Sequence, residues 1–252
     1  MGSAPGEDLA GKNVVYGITG GIAAYKAPMI VRSLKMLGIE VHAVMTDAAR
    51  YFVTSTTLQT LTGRPVFMDL FPETPAGPHE VEHIALADRA DLLLIAPATA
   101  DFIAKMAHGI ADDLLSCVAL ATRAPILICP SMNVNMYQHP ATRENIDILK
   151  KRGVSVLEPA SGELACGWEG AGRLPEPRRI VAEAKKMLAE AGAEAEVQDV
   201  DARVAECRML KGDADGALAL ADEVLGRTES ADAIERLKPQ LNRVRGYAML
   251  LQ

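Results

Sequence analysis

Cys166 lies in the segment of this sequence with the clearest potential for chemistry. The run 165–173 reads ACGWEGAGR, and its three glycines predict an irregular flap rather than a regular helix or strand. Flaps of this kind close over ligands, and a thiol on one can donate a proton after a substrate has bound. Cys166 is therefore a candidate general acid. Cys117, Cys129 and Cys207 lie on predicted strand or helix faces, which favours structural roles for them.

His83 is the candidate base, because a histidine exchanges protons near neutral pH. It lies in the run 81–86, VEHIAL, just before an apolar strand pattern. A lone histidine is also often a packing or surface residue, and the sequence alone leaves both roles open. His42, His79, His108 and His139 fit a non-catalytic role better.

Two loops have features of a phosphate site. The first, GITGGIAAYK at 17–26, joins a strand pattern to a helix pattern, and its glycines let backbone N–H groups approach an anion. Its spacing is neither that of the dinucleotide fingerprint nor that of a Walker loop. Thr46 follows the second strand pattern and offers a second phosphate contact. A tight turn in the first loop and a helix N-cap at Thr46 remain the alternatives.

Two further loops suit a flat ring and a polar substrate group. In APATADF, residues 96–102, small residues and a proline let a ring lie against the backbone, and Asp101 either orients that ring or caps the next helix. In PSMNVNMY, residues 130–137, Asn133 offers a donor and acceptors that suit a carboxylate or an amide. An Asx-turn at Asn133 is the alternative.

These loops must be positioned by a doubly wound parallel sheet. Apolar strand patterns alternate with amphipathic helix patterns, and runs that are apolar at every position are typical of central parallel strands. The predicted strands are Asn13–Ile18, Glu40–Met45, Asp91–Ala96, Ala124–Cys129 and Val154–Leu157. The predicted helices are Ala23–Leu37, Ala100–Ala107, Asp113–Thr122 and Thr142–Arg152. The fold class is α/β, Rossmann or flavodoxin-like, with function at the carboxyl ends of the strands.

The composition changes after about Pro177, which predicts a domain at 1–191 and a helical extension at 192–252. A helix at Arg179–Ala191 and a polar joint at Gly192–Asp199 lead into a helical hairpin, Asp201–Lys211 and Ala214–Leu225. A further helix, Ala231–Leu251, is interrupted by a proline. The hairpin resembles one tetratricopeptide unit, but a single unit favours oligomer contacts over a dedicated partner module.

Composition excludes several function classes. The chain has 252 residues, 49% of them hydrophobic, and a net charge of −7. The acidic balance without a basic run argues against binding to nucleic acid or anionic membranes. Its four cysteines form neither a disulfide nor a zinc pattern. No metal and no membrane span are expected, and the predicted location is cytoplasmic.

Taken in order along the chain, four motifs and His83 resemble the flavin-dependent cysteine decarboxylase family. The motifs are GGIAAYK at 20–26, PATADF at 97–102, PSMNVNMY at 130–137 and ACG at 165–167 with its continuation to Arg173. The second departs from the family's Pro-Ala-Ser-Ala-Asn-Thr at Thr99, Asp101 and Phe102, and Asp101 adds a negative charge near the flavin. The flap resembles that of the coenzyme A branch of the family, and the resemblance covers about 11–182.

The resemblance implies an FMN enzyme that converts 4′-phosphopantothenoyl-L-cysteine to 4′-phosphopantetheine. FMN would oxidise the cysteinyl group to a thioaldehyde, carbon dioxide would leave, and the enethiolate would be reduced again while Cys166 donates a proton. FMN would be held by Gly20, Gly21, Ile22, Thr46, Thr99, Ala100, Asp101 and Ser131. His83 would act as base, and Asn133, Met136, Ala165 and Arg173 would hold the substrate. A homotrimer with the flavin site between subunits and a separate phosphopantothenate–cysteine ligase are also implied.

Two other functions stay open. One is a peptidyl-cysteine decarboxylase acting on C-terminal cysteines of ribosomal peptides, which stops at the enethiol and needs no final proton donor. Cys166 and Arg173 favour the coenzyme A branch over it. The other is a non-catalytic flavin-binding regulatory or interaction protein, against which the presence of His83, Asn133 and Cys166 argues.

Overall fold

The computed structural model describes residues 9–71, 81–163, 167–210, 213–227, 237–239 and 241–245. Ala165 and Cys166 lie outside this set, as do the turn at 211–212 and most of the predicted helix Ala231–Leu251. Met1–Leu188 and Ala189–Gln252 form two compact units. None of the helices in the described ranges is long and apolar enough to span a membrane.

A five-stranded parallel sheet organises the first unit. Its strands are β1 (Asn13–Ile18), β2 (Glu40–Met45), β3 (Leu92–Ala98), β4 (Ile126–Pro130) and β5 (Ser155–Val156). Their spatial order is β2-β1-β3-β4-β5, with every pair parallel. This order is that of flavodoxin-like folds, in which ligands bind where the order reverses, between β1 and β3. The predicted fold class is confirmed.

Helices cover both faces of this sheet. They are α1 (Ala27–Met36), α2 (Ser55–Thr62), α3 (Glu82–Arg89), α4 (Ala100–His108), α5 (Leu114–Ala121), α6 (Val134–Gln138) and α7 (Pro140–Lys151), with short 3-10 turns at Ile22–Lys26 and Asp47–Tyr51. Side chains alternate along the strands, so Tyr16 and Leu94 pack with Ile30 on one face. Ile95 packs with Leu115 on the other face. Burial on both faces explains the uniformly apolar strand patterns.

A two-stranded antiparallel hairpin, β6 (Ala160–Glu163) and β7 (Glu169–Arg173), follows the sheet. The prediction that 165–173 contains no regular structure is therefore wrong for Glu169–Arg173. Gly170 and Gly172 have φ of +150° and +151°, where residues with a Cβ are strained. A Cβ at Gly172 would lie 2.3 Å from the Met132 carbonyl oxygen. The glycines therefore serve close approach of β7 to the loop after β4, where the Met132 N–H donates to the Gly172 carbonyl at 2.9 Å.

One continuous helix, α8 (Pro177–Leu210), runs through the predicted polar joint, so the prediction of a break at Gly192–Asp199 is wrong. The alanine- and glutamate-rich sequence favours helix enough to offset one glycine, which costs about 1 kcal/mol in a helix. The second unit contains the end of α8 and α9 (Ala214–Arg227). Small side chains fill its core, which consists of Ala202, Ala205, Ala217, Ala221, Val224, Leu237, Leu241 and Val244.

Candidate active site

A cavity of about 1460 Å³ opens at the carboxyl ends of β1 to β4. Hydrogen bonds tie the loops around it together. The buried Thr19 hydroxyl donates to the Pro97 carbonyl at 2.7 Å and accepts from the Thr99 N–H at 3.0 Å. The Ser131 N–H donates to the Ala98 carbonyl at 3.0 Å. The loops after β1, β3 and β4 are therefore fixed relative to one another before any ligand binds.

The cavity brings together most of the site residues predicted from the sequence. Those that line it are Gly20, Gly21, Ile22, Thr46, Thr99, Ala100, Asp101, Ser131, Asn133, Met136 and Arg173. His83 is not among the lining residues of the described chain, and Ala165 and Cys166 lie outside the described residues. The predicted cofactor residues thus share one site with Asn133 and Met136.

The loop after β2 presents a hydroxyl that suits an anionic ligand. The Thr46 Oγ1 atom is buried without a hydrogen-bond partner in the part of the chain described, although it lines the cavity. Thr46 precedes the turn Asp47–Tyr51, but its side chain makes no capping hydrogen bond. The Thr46 hydroxyl is therefore not used for the N-cap that was the alternative role. A Cβ at Gly20 would lie 2.2 Å from the Ala48 Cβ, so the glycine allows the first two loops to meet. A phosphate placed there would satisfy the Thr46 hydroxyl.

Lys105 supplies a cation to the cavity wall that the sequence analysis missed. Its ammonium lies 2.9 Å from Asp112, 3.2 Å from Asp113 and 3.8 Å from Asp101. Partial burial lowers the pKa of Lys105, but hydrogen bonds to Asp112 and Asp113 outweigh this and raise it above its ordinary value. Thr99, and not Asp101, caps α4 by accepting from the Phe102 N–H at 3.3 Å. The Asp101–Lys105 spacing of four residues on a helix was the available signal for this pair.

Asn133 forms the Asx-turn that the sequence analysis gave as the alternative, and its side chain also lines the cavity. Its Oδ1 atom accepts from the Asn135 N–H at 2.8 Å and so caps α6. The same side chain lines the cavity, as does Met136 one turn further along the helix. The Asx-turn fixes the asparagine at the cavity wall.

Two cations meet at the hairpin side of the cavity. Arg173 and Lys26 both contact Glu176, at 2.5 Å and 3.5 Å, and both line the cavity. The hydrogen bond from Arg173, with the nearby charge of Lys26, holds the pKa of Glu176 below its ordinary value. Arg173 and Lys26 therefore share the Glu176 carboxylate, and Glu163 of β6 adds a second carboxylate to the cavity wall. Sequence reasoning found Arg173 but treated Lys26 only as part of the first loop.

His83 lies in the first turn of α3, and its Nδ1 atom is buried without a hydrogen-bond partner among the described residues. No residue of the described cavity wall comes from α3. The geometry of this chain by itself therefore does not bring His83 to the cavity.

Comparisons with known proteins agree with this architecture. A family described as flavoprotein matches residues 3–189. The coenzyme A biosynthesis bifunctional protein CoaBC of Vibrio vulnificus is 51% identical over 176 residues, which is 70% of this chain and 43% of that protein. CoaBC of Bacillus subtilis is 46% identical over 182 residues, 72% of this chain and 44% of that protein. The chain thus spans less than half the length of these relatives.

Two solved structures share the fold. SpaF, an FMN-dependent cysteine decarboxylase, is 32% identical with a TM-score of 0.63, over 73% of this chain and 99% of SpaF. A cysteine-to-serine mutant of PPC decarboxylase, complexed with pantothenoylaminoethenethiol, is 28% identical with a TM-score of 0.63, over 69% and 97% of the two chains. This chain therefore belongs to the flavoprotein family that includes the FMN-dependent cysteine decarboxylases.

Proposed function

We propose that this chain is a phosphopantothenoylcysteine decarboxylase, which binds FMN and converts 4′-phosphopantothenoyl-L-cysteine to 4′-phosphopantetheine. The observation that carries the proposal is that one cavity collects the predicted cofactor residues together with Asn133, Met136 and Arg173. The identity of 46–51% to two CoaBC proteins supports the coenzyme A substrate over other cysteine compounds. A cytoplasmic location belongs to the same proposal.

FMN fits the chemistry of the residues at the carboxyl ends of β1 to β3. The glycine loop at 20–22 and the unpartnered Thr46 hydroxyl suit its phosphate, and Thr99, Ala100, Asp101 and Ser131 suit the remainder. When bound, FMN supplies a two-electron acceptor for the cysteinyl group and a donor for the final reduction.

Substrate positioning falls to α6 and the hairpin. The amide of Asn133 can bind the cysteinyl end by donating and accepting hydrogen bonds. Met136, which is 49% exposed, offers an apolar contact beside it. The Arg173 guanidinium and the Lys26 ammonium both line the cavity and can each bind an anionic group of the substrate.

Proton transfer requires a base for the oxidation and an acid for the last step. We assign these roles to His83 and Cys166, with Ala165 beside the substrate. Because His83 does not line the described cavity of its own chain, we propose a homotrimer in which a neighbouring subunit brings its histidine to this site. Ile22 and Tyr25 support such an interface, since both border the cavity and both are 57% exposed.

A substrate comparison by mass spectrometry tests the function. The FMN-loaded protein is incubated separately with 4′-phosphopantothenoyl-L-cysteine and with a peptide that ends in cysteine. We expect loss of carbon dioxide and a saturated thiol from the first, and no reaction with the second. Turnover of the peptide alone would assign the chain to peptidyl-cysteine decarboxylation, and bound FMN without turnover of either would favour a regulatory protein.

A further inference from the structure

Tyr137 follows Met136 in α6 and, unlike Asn133 and Met136, is not among the residues that line the cavity. Its ring is buried, with 5% exposed. A helix of five residues is too short to be stable through its own hydrogen bonds and depends on tertiary contacts. Whatever holds Tyr137 therefore also determines where Asn133 and Met136 lie.

A charged network outside the cavity holds the Tyr137 ring. Its hydroxyl donates to Glu158, whose other carboxylate oxygen accepts from the Lys150 ammonium at 2.6 Å. The Arg143 guanidinium carbon lies 5.1 Å from the ring centroid. A hydrogen bond to an ionised acceptor is stronger than one between neutral groups. Tyr137 is thus fixed from its edge and from its face.

The protonation states of this pair suit a permanent hydrogen bond. Burial, and then the hydrogen bond to Glu158, raises the pKa of Tyr137 to about 12. Partial burial raises the pKa of Glu158, but hydrogen bonds from Lys150 and Tyr137 lower it by more, so it lies below its ordinary value. At neutral pH the donor keeps its proton and the acceptor is ionised.

The position of Glu158 connects α6 with the hairpin. Glu158 lies between β5 and β6, two residues before β6 begins at Ala160. Five residues before Tyr137, the Met132 N–H donates to the Gly172 carbonyl of β7. The segment from Met132 to Tyr137 is therefore attached at one end to β7 and at the other to the chain entering β6.

We propose that Tyr137 is a positioning residue, which through its hydrogen bond to Glu158 holds α6 so that Asn133 and Met136 face the substrate. The inference rests on the substrate-binding role proposed for those two residues. Tyr137 is not among the residues that line the cavity in the described chain, so its loss should affect substrate binding more than FMN binding.

The test compares Tyr137→Phe, Glu158→Ala and Glu158→Gln in FMN-loaded protein. Tyr137→Phe and Glu158→Ala each remove the hydrogen bond, and we expect a rise of about tenfold in KM with a smaller change in kcat and an unchanged Kd for FMN. Glu158→Gln keeps an oxygen acceptor but loses the charge, so its KM should lie between those of the wild type and Glu158→Ala. The double variant Tyr137→Phe/Glu158→Ala should be no worse than Glu158→Ala alone, because the bond that Tyr137→Phe removes is already absent there.

A second readout needs no substrate and separates this inference from the proposed function. Amide hydrogen exchange in peptides covering 132–138 should accelerate in Tyr137→Phe, and by less in Glu158→Gln, which keeps a neutral acceptor. Unchanged exchange in Tyr137→Phe would overturn the positioning role, whether or not the protein decarboxylates this substrate. Equal losses of FMN and substrate affinity would also overturn it. If the wild-type protein does not turn over the substrate but Tyr137→Phe still accelerates exchange, only the proposed substrate is contradicted and the positioning role stands.

Discussion

Replacing Gly172 by alanine should displace the hairpin from the loop after β4. The new Cβ would lie 2.3 Å from the Met132 carbonyl oxygen, a backbone atom that cannot rotate away. The φ of +151° adds strain of about 1–3 kcal/mol for a residue with a Cβ. Loss of the Met132–Gly172 hydrogen bond adds about 0.5–1.5 kcal/mol. We expect the free energy of unfolding to fall by about 1.5–4.5 kcal/mol, as the sum of these two costs.

Gly153→Ala is the matched control for this prediction. Gly153 follows α7 and has a φ of +86°, but a Cβ there would meet nothing within 4 Å. Its cost should be limited to the backbone, about 1–2 kcal/mol. Urea unfolding of both variants separates the cost of backbone strain, which both variants have, from the cost of the steric clash, which only Gly172→Ala has. The KM for the substrate shows whether the hairpin has moved. If Gly172→Ala is no less stable than Gly153→Ala and keeps the wild-type KM, close approach of β7 to the Asn133 segment does not matter.

Three further perturbations address the loops and the sheet. Thr19→Val leaves the Thr99 N–H without an acceptor, so the free energy of unfolding, measured with urea, should fall by about 1–3 kcal/mol. The affinity for FMN, measured by flavin titration, should also fall. Thr19→Ser keeps the hydroxyl and should keep both the stability and the affinity. Thr46→Val removes a hydroxyl that has no partner among the described residues, so the free energy of unfolding should stay nearly constant while the Kd for FMN rises about tenfold in the same titration. An unchanged Kd would contradict the proposed phosphate site. Burial, aided by the charges of Arg64 and Arg89, lowers the pKa of His42 from 6.5 to about 4. Between pH 4 and 6.5 the unfolded chain therefore binds more protons than the folded one. Unfolding free energy should therefore fall, by at most about 3 kcal/mol, as the pH drops from 6.5 to 4, and His42→Gln should reduce this slope.

Sequence patterns predicted the sheet and its loops because the relevant signals are local. β1 and β2 have the predicted bounds, and the apolar run of β3 reflects burial at every position. Loops that follow parallel strands must meet at one edge, which is why the residues near Gly20, Thr46, Thr99 and Ser131 line one cavity.

The features that the sequence did not reveal depend on contacts between distant segments. Gly170 and Gly172 suggested an irregular flap, yet they lie in a strand, where a Cβ would meet the Val134 side chain at Gly170 and the Met132 backbone at Gly172. The pairing of Tyr137 with Glu158 joins residues 21 positions apart with no repeating pattern. His83 was correctly placed before β3, but its role as base stays a prediction because no described contact brings it to the cavity.

A crystal structure of the Cys166→Ser variant with FMN and 4′-phosphopantothenoyl-L-cysteine would locate both ligands in one experiment. We expect the FMN phosphate against Gly20–Ile22 and Thr46, the cysteinyl end of the ligand against Asn133 and Met136, and a histidine of a neighbouring subunit facing the same cavity. FMN bound elsewhere, or a substrate that leaves Asn133 without contact, would contradict this expectation.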